Sequence, residues 1–194
     1  MDSADDDLER EQAEILTIIK SRERRAGDEG ARFNWNKMNR DLACRVVKEF
    51  LRKHIQGDAK VVGPNVYIED CPTEFDLLLV AKDAIPAAFT NAYRNEEVRF
   101  VIEIKSRGYI NPEFPSKLRT EFDAVCDRYK NVNCTYLTIR ETRNPKQEAS
   151  ISYIRELKKV LAPKYQAFCL AESRTDEPIP GQWRQFVKHL TAMA

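Results

Sequence analysis

The sequence predicts an α/β fold in which helices flank a mixed β-sheet, in the core order helix, three strands, helix, strand. Two amphipathic segments, 36–54 and 116–130, carry apolar residues at helical spacing. Between them, segments 74–80 and 98–106 hold the short apolar runs typical of strands that lie in a sheet. An extra N-terminal helix and a C-terminal α-β-α extension complete the predicted architecture.

The length and composition predict a single soluble domain. The chain has 194 residues, of which 42% are hydrophobic and 32% charged, and its formal net charge is +1. We expect one domain over 1–194, with an accessory helix in 1–30, a core at about 36–140 and an extension at 141–194. With so small a net charge, a nucleic-acid partner must be held by a local basic patch.

The cysteine and histidine content excludes several kinds of site. The five cysteines include no CxxC pair, and the two histidines, His54 and His189, lie far apart in the sequence. A disulfide framework and a His-rich zinc centre are therefore not expected, and reduced thiols are. No run approaches the roughly 18 apolar residues of a membrane span, and acidic Asp5–Asp7 do not suit a targeting signal. We expect a cytoplasmic protein without a membrane partner.

The first helix is predicted at Leu8–Arg25, where a short apolar face stands among charged residues. Acids precede it and arginines end it, the orientation that the helix dipole favours. We interpret it as an accessory or dimer-forming helix outside the core.

The second helix is predicted at Asn36–His54. Its apolar stripe contains Leu42, Val46 and Phe50, and about 100° per residue places Glu49 at the edge of that stripe. Glu49 is therefore the acid best placed to face a site at the core boundary. From this position alone, a solvated helix acid is an equally good interpretation.

The next segments predict the first strands of the sheet. Segments 59–63 and 65–68 form a first strand or a bent pair, and 74–80 and 98–106 are strands that we expect to be neighbours. The polar connection between the last two contains a possible short helix at 87–94.

The remaining chain predicts a parallel pair of strands. The helix at 116–130 leads to a strand at 133–140, and a strand–helix–strand unit implies a right-handed crossover. A helix at 150–161, a strand at 165–170 and a helix at 183–193 follow.

Three charged residues interrupt the central apolar strands. Asp76 lies in the first, and Glu103 and Lys105 lie two residues apart in the second, on one strand face. Buried charges are costly unless they are paired. Two carboxylates and a lysine on neighbouring strands therefore predict a metal site with a positive charge beside it.

This pattern resembles the PD-(D/E)xK nuclease superfamily, which has the restriction-endonuclease-like fold. The resemblance rests on Asp76, twenty-six intervening residues and Glu103-Ile104-Lys105, and Phe75 stands where the family name has proline. It implies that Asp76 and Glu103 bind Mg²⁺, with Mn²⁺ as a substitute, and that Lys105 serves the attacking water. Many members add a helix glutamate, for which Glu49 is the candidate, and Glu74 is a further possible ligand.

The resemblance implies a metal-dependent endonuclease in restriction, other defence or repair, with DNA a more probable substrate than RNA and a possible homodimer. Basic residues near the motif could contact phosphates, namely Arg107, Lys117 and Arg119. One alternative is a non-catalytic nucleic-acid-binding or assembly module on the same fold, and another is an unrelated interaction protein. A third interpretation makes the three charged residues ordinary members of a solvated strand face.

Overall fold

The computed structural model describes residues 3–28, 35–107, 113–141, 153–172 and 177–192. The first residues of the helix predicted at 150–161 lie outside these ranges. The described chain forms five helices, seven strands and a 3₁₀ turn at Asn95–Glu97. In chain order, the elements are α1 (Ser3–Asp28), α2 (Trp35–His54), β1 (Ala59–Val62), β2 (Tyr67–Ile68), β3 (Leu77–Ala81), β4 (Ala92–Tyr93), β5 (Val98–Lys105), α3 (Phe114–Arg128), β6 (Asn133–Arg140), α4 (Tyr153–Leu161), β7 (Gln166–Ala171) and α5 (Gln182–Thr191).

A mixed five-stranded sheet forms the centre, in the order β1-β3-β5-β6-β7. Strand β3 pairs antiparallel with β1 and β5, whereas β6 pairs parallel with β5 and β7. The predicted α/β fold is therefore confirmed, as are the adjacency of β3 and β5 and the parallel crossover through α3. The C-terminal extension adds β7 as the last strand of the same sheet.

The two faces of the sheet carry separate apolar layers because strand side chains alternate. Leu77, Leu79, Phe100 and Ile102 face the layer of α1, α2 and α5. Leu78, Val80 and Val101 face the layer of α3 and α4. The sheet is thus covered on both sides, which explains why β3 and β5 read as nearly continuous apolar runs.

Helix α1 is part of the core, so the prediction of an accessory helix outside it is wrong. Ile15 and Ile19 are fully buried in the layer with α2 and α5. The Gln12 amide is also fully buried, and it donates to the carbonyls of Leu170 and Ile179 and accepts from the Trp183 N–H. The many charges on the other faces of α1 obscured this role, because a narrow apolar stripe also suits a surface helix.

Residues 87–94, in the connection between β3 and β5, form no helix, so the possible short helix predicted there is wrong. The connection turns at Phe89, which has a φ of 63°, and then forms β4. Strand β4 pairs in parallel with β2 to make a separate two-stranded sheet. Helix propensity was a weak guide here because a left-handed residue interrupts the segment. Across the described ranges, no helix is long and apolar enough to cross a membrane.

Candidate metal centre at the ends of β3 and β5

The antiparallel pairing of β3 with β5 brings Asp76 level with Glu103. Leu77 pairs with Ile102, so the residue before Leu77 lies opposite the residue after Ile102. Asp76 is 4% exposed, and its Oδ2 accepts a hydrogen bond of 2.7 Å from the Ile104 N–H. The backbone of β5 thus fixes the Asp76 carboxylate beside the motif.

Glu103 and Lys105 form an ion pair on one face of β5. Their side chains are 22% and 27% exposed, respectively. Ile102, which precedes Glu103, and Ile104, which lies between the two charged residues, are fully buried on the other face. The predicted shared face is therefore confirmed. Both charged groups lie at the boundary between the apolar layer and solvent, where a substrate could reach them.

Arg40 of α2 completes the charge balance of this region. Its Nε lies 3.3 Å from Asp76 Oδ1, and its Nη2 donates to Glu74 Oε1 at 2.9 Å. The Nε is buried and makes no well-directed hydrogen bond, so the contact with Asp76 is an ion pair. The Tyr67 hydroxyl donates to the other oxygen of Glu74 at 3.0 Å. We call Arg40, Asp76, Glu103 and Lys105 the strand-end cluster.

Burial and like charge strain the ionised form of Asp76. Desolvation, followed by repulsion from Glu103, raises the pKa of Asp76 to about 6. Lys105, the Ile104 N–H and Arg40 act in the opposite direction but do not cancel the rise. For Arg40, burial opposes the charged form, yet attraction to Asp76 and Glu74 raises the guanidinium pKa above its usual value. A further positive charge near Asp76 would therefore stabilise its ionised carboxylate.

The chemistry of these ligands fits a hard divalent cation. Mg²⁺ commonly binds one or two carboxylates and fills its other positions with water and phosphate oxygens. Asp76 and Glu103 supply two such carboxylates, and a cation between them would relieve the repulsion that raises the pKa of Asp76. Among the described residues, no group of three or more His, Cys, Asp or Glu side chains could hold a metal. A site in this region therefore depends on two protein carboxylates together with water or substrate.

Glu49 is not brought to the strand-end cluster. It lies nine residues after Arg40 on α2, which is two and a half turns, and therefore points to the opposite side of the helix. Its side chain is 62% exposed and pairs with Arg52 at 3.1 Å. The sequence placed Glu49 at the edge of an apolar stripe through Leu42 and Val46, but both of those residues are only half-buried. The deeply buried face of α2 runs instead through Ala43, Val47 and Leu51.

The three predicted phosphate-contacting residues differ in their exposure to solvent and in their contacts with other residues. Arg107 is exposed two residues beyond Lys105. Lys117 is 75% exposed and has a loose ion pair with Glu121 at 3.9 Å. Arg119, in contrast, donates to the Val160 carbonyl and so ties α3 to α4.

Arg40 is the functional candidate that sequence reasoning missed. A signal was present, because Arg40, Cys44, Val47 and Leu51 follow helical spacing and the last three are buried. A basic residue at the open end of a buried helix face suggests a buried acidic partner.

Comparisons with solved structures match this chain to NucC. Two cAAA-bound forms, from P. aeruginosa ATCC27853 and E. coli MS115-1, each give a TM-score of 0.64 at 10% identity and cover all of this chain, with 93% and 92% of their own chains matched. The apo form from E. coli MS115-1 gives 0.51 at 9% identity, over 78% of this chain and 84% of that chain. No protein-family model and no curated sequence matches. At this identity the likeness shows the fold alone, and the fold of NucC is restriction-endonuclease-like, as the sequence predicts for this chain.

Proposed function

We propose that this protein is a metal-dependent endonuclease that hydrolyses phosphodiester bonds in DNA as part of a defence system. The observation that carries the proposal is the convergence of Asp76, Glu103 and Lys105 at the ends of two paired strands. The fold shared with NucC supports it, since NucC is a nuclease that acts in anti-phage defence. The fold by itself would not assign a reaction, because one fold hosts many functions.

Each residue of the strand-end cluster has a role that its position supports. Asp76 and Glu103 would hold Mg²⁺, or Mn²⁺ in its place. When bound, the cation would polarise the phosphate and lower the pKa of a water. The Ile104 N–H keeps Asp76 oriented towards β5, which fixes one ligand before substrate arrives.

Lys105 is the residue that serves the attacking water. Its ammonium group already lies against the Glu103 carboxylate, so its charge is at the position where a phosphate would approach the cluster. An ammonium there can orient a water molecule by hydrogen bonding and stabilise the negative charge that develops on the phosphoryl oxygens. Arg40 lies 3.3 Å from Asp76, where its positive charge moderates the repulsion between the two acids.

The proposal also includes a preference for DNA as the substrate and the residues that bind its backbone. Arg107 and Lys117 are exposed near the end of β5 and the start of α3, and such cations neutralise backbone phosphates without reading sequence. Paired cuts in duplex DNA need two active sites, so we propose a homodimer for that activity. Light scattering with and without DNA would test the dimer.

The test is cleavage of supercoiled plasmid, single-stranded DNA and RNA with Mg²⁺, Mn²⁺ or EDTA. Two of the NucC structures contain cAAA, so each reaction is run with and without cAAA. Lys105→Met is compared with Lys159→Met, a matched change of an exposed lysine on α4 that has no part in the proposed site. We expect metal-dependent cutting of DNA that Lys105→Met abolishes and Lys159→Met retains.

Two results would overturn this proposal. Metal-dependent cutting that survives in both Asp76→Asn and Lys105→Met would place the active site elsewhere. Binding of DNA without cutting under every condition would favour the non-catalytic module on the same fold.

A further inference from the structure

A pair of thiols lies apart from the strand-end cluster, between α3 and β6. The Sγ atoms of Cys126 and Cys134 are 3.7 Å apart, and this is the one thiol–thiol contact in the described part of the chain. We propose that these two cysteines form a peroxide-reactive dithiol site that closes to a reversible disulfide. This inference does not depend on the proposed nuclease activity.

The backbone already places the two thiols for a bond. Cys126 lies in the last turn of α3 and Cys134 near the start of β6, separated by eight positions in sequence. Forming a disulfide of about 2.05 Å requires the sulfurs to approach by about 1.7 Å. A change of side-chain rotamer at the end of a helix can supply a movement of that size.

The two thiols have different surroundings, which gives them different roles. Cys126 is half-buried, so a small oxidant can reach it from solvent, whereas Cys134 is only 3% exposed. The Cys126 thiol contacts the Val132 carbonyl at 3.2 Å in the connection between α3 and β6. Cys126 is therefore the thiol that meets the oxidant, and Cys134 is the resolving thiol behind it.

Neighbouring groups favour the thiolate of Cys126. A hydrogen bond from Cys134, with further help from the Lys164 ammonium, lowers the pKa of Cys126 to about 6 despite partial burial. The pKa of Cys134 is raised, first by that same hydrogen bond and then by burial. Asp123 holds the Lys164 ammonium in place, accepting from it at 2.7 Å, and also accepts the single proton of the Tyr165 hydroxyl at 2.8 Å.

The other three cysteines lack this arrangement. Cys44 and Cys169 are buried, and burial raises the pKa of each thiol. Cys71 is half-buried like Cys126, but no thiol contact accompanies it among the described residues. Cys71 is therefore a matched control for exposure without a partner thiol.

The reaction balances with hydrogen peroxide as the oxidant. The Cys126 thiolate attacks one peroxide oxygen, the O–O bond breaks, and Cys126 sulfenic acid and hydroxide are formed. The Cys134 sulfur then attacks the Cys126 sulfur, its proton passes to the departing oxygen, and water leaves as the S–S bond forms. Two thiols are oxidised, one peroxide is reduced, and the products are one disulfide and two waters.

Peptide mapping of the folded full-length protein tests the proposal directly. Reduced protein is treated with hydrogen peroxide, and the remaining thiols are alkylated in denaturant before digestion with trypsin. Cleavage after Arg119, Arg128, Lys130 and Arg140 puts Cys126 and Cys134 in separate peptides. We expect a crosslinked pair of these peptides that dithiothreitol separates, and oxidation of Cys126 about tenfold faster than that of Cys71 near neutral pH.

Variants assign the roles of the two thiols. Cys126→Ser should abolish the crosslink, whereas Cys71→Ser should retain it. Cys134→Ala should leave Cys126 as a sulfenic acid that dimedone labels, and should move the midpoint of its pH–rate curve upwards because the hydrogen bond is lost. If Cys126 and Cys134 are alkylated as completely as Cys71 after peroxide treatment of the wild type, the proposal is overturned. This test uses only the wild-type protein, so it does not depend on whether a variant folds.

Discussion

The buried polar side chains of Asp76 and Gln12 are accommodated in opposite ways. In the strand-end cluster, Asp76 is ionisable, lies next to a second acid and has its pKa raised to about 6. In the helix-anchor cluster, which we define as Gln12, Leu170, Ile179 and Trp183, a neutral amide satisfies two carbonyls and one N–H. In the first arrangement the repulsion between two acids is only partly compensated. In the second, the amide N–H groups and the amide oxygen all have partners.

This contrast distinguishes a buried group that suits chemistry, the Asp76 carboxylate, from a buried group that suits stability, the Gln12 amide. A neutral amide with all of its hydrogen bonds made joins α1 to β7 and the start of α5 at little desolvation cost. A carboxylate beside another carboxylate costs stability but creates affinity for a cation. Substitutions in the first cluster should therefore change activity and pH dependence, and those in the second should change stability.

The largest expected effect is the loss of cleavage on removing Lys105. Because Lys105→Met deletes the only charge proposed to serve the attacking water, we expect kcat to fall about 10²- to 10³-fold. The free energy of unfolding should change little, since the side chain is partly solvated. Plasmid cleavage in Mg²⁺ measures the rate, and Lys159→Met, which changes an exposed lysine on α4, should cut at the wild-type rate. Equal rates for Lys105→Met and Lys159→Met would contradict this assignment.

The next effect is a pH dependence of stability that comes from Asp76. Its pKa is about 6 in the folded protein and 3.8 ordinarily, so the folded state binds the proton more tightly. The resulting stability is present below pH 4 and is lost as the pH rises through 6, by about 3 kcal/mol.

Urea unfolding in EDTA from pH 4 to 7 would measure this loss by comparing wild type with Asp76→Asn. The free energy of unfolding of the wild type should decline relative to that of the variant. Mg²⁺ should reduce the decline at pH 7, because a bound cation stabilises the ionised carboxylate. Parallel pH curves for the two proteins in EDTA would show that Asp76 has an ordinary pKa.

A comparable loss of stability, without a pH signature, is expected in the helix-anchor cluster. Gln12→Leu leaves the Trp183 N–H without its acceptor, and the Leu170 and Ile179 carbonyls each lose one of two donors. These losses should cost about 2–3 kcal/mol. Urea unfolding measures this change. Thr17→Ala, on an exposed position of the same helix, should stay within about 0.5 kcal/mol of wild type. A loss no larger than that of Thr17→Ala would make the Gln12 contacts dispensable.

The smallest expected effect is that of Arg40→Gln. Arg40 lowers the pKa of Asp76, although less than the other groups that act in this direction. Its removal should therefore raise that pKa further and shift the acidic limb of kcat/KM to higher pH. The pH–rate profile in saturating Mg²⁺ is compared with that of Arg52→Gln, which changes an exposed arginine three turns further along α2. An unshifted limb would exclude electrostatic coupling between Arg40 and Asp76.

The sequence predicted most of the sheet because its signals are local. The apolar runs identify β3 and β5 as strands. Strand alternation then places Glu103 and Lys105 on one face of β5. The role of α1 could not be predicted in this way, since Gln12 is one polar residue on a charged helix. The sequence misplaces Glu49 because Leu42 and Val46 predict a buried stripe, whereas the stripe that is buried depends on which neighbours the helix meets.

The sequence by itself determined the α/β class, the strand that carries Glu103 and Lys105, and the adjacency of that strand to Asp76. These depend on periodicity and chain order, which are local properties. Tertiary structure alone decided that Arg40 meets Asp76, that Gln12 anchors α5, and that Cys126 meets Cys134. Each of these contacts joins separate elements, so it depends on how helices pack on the sheet rather than on any pattern within one segment.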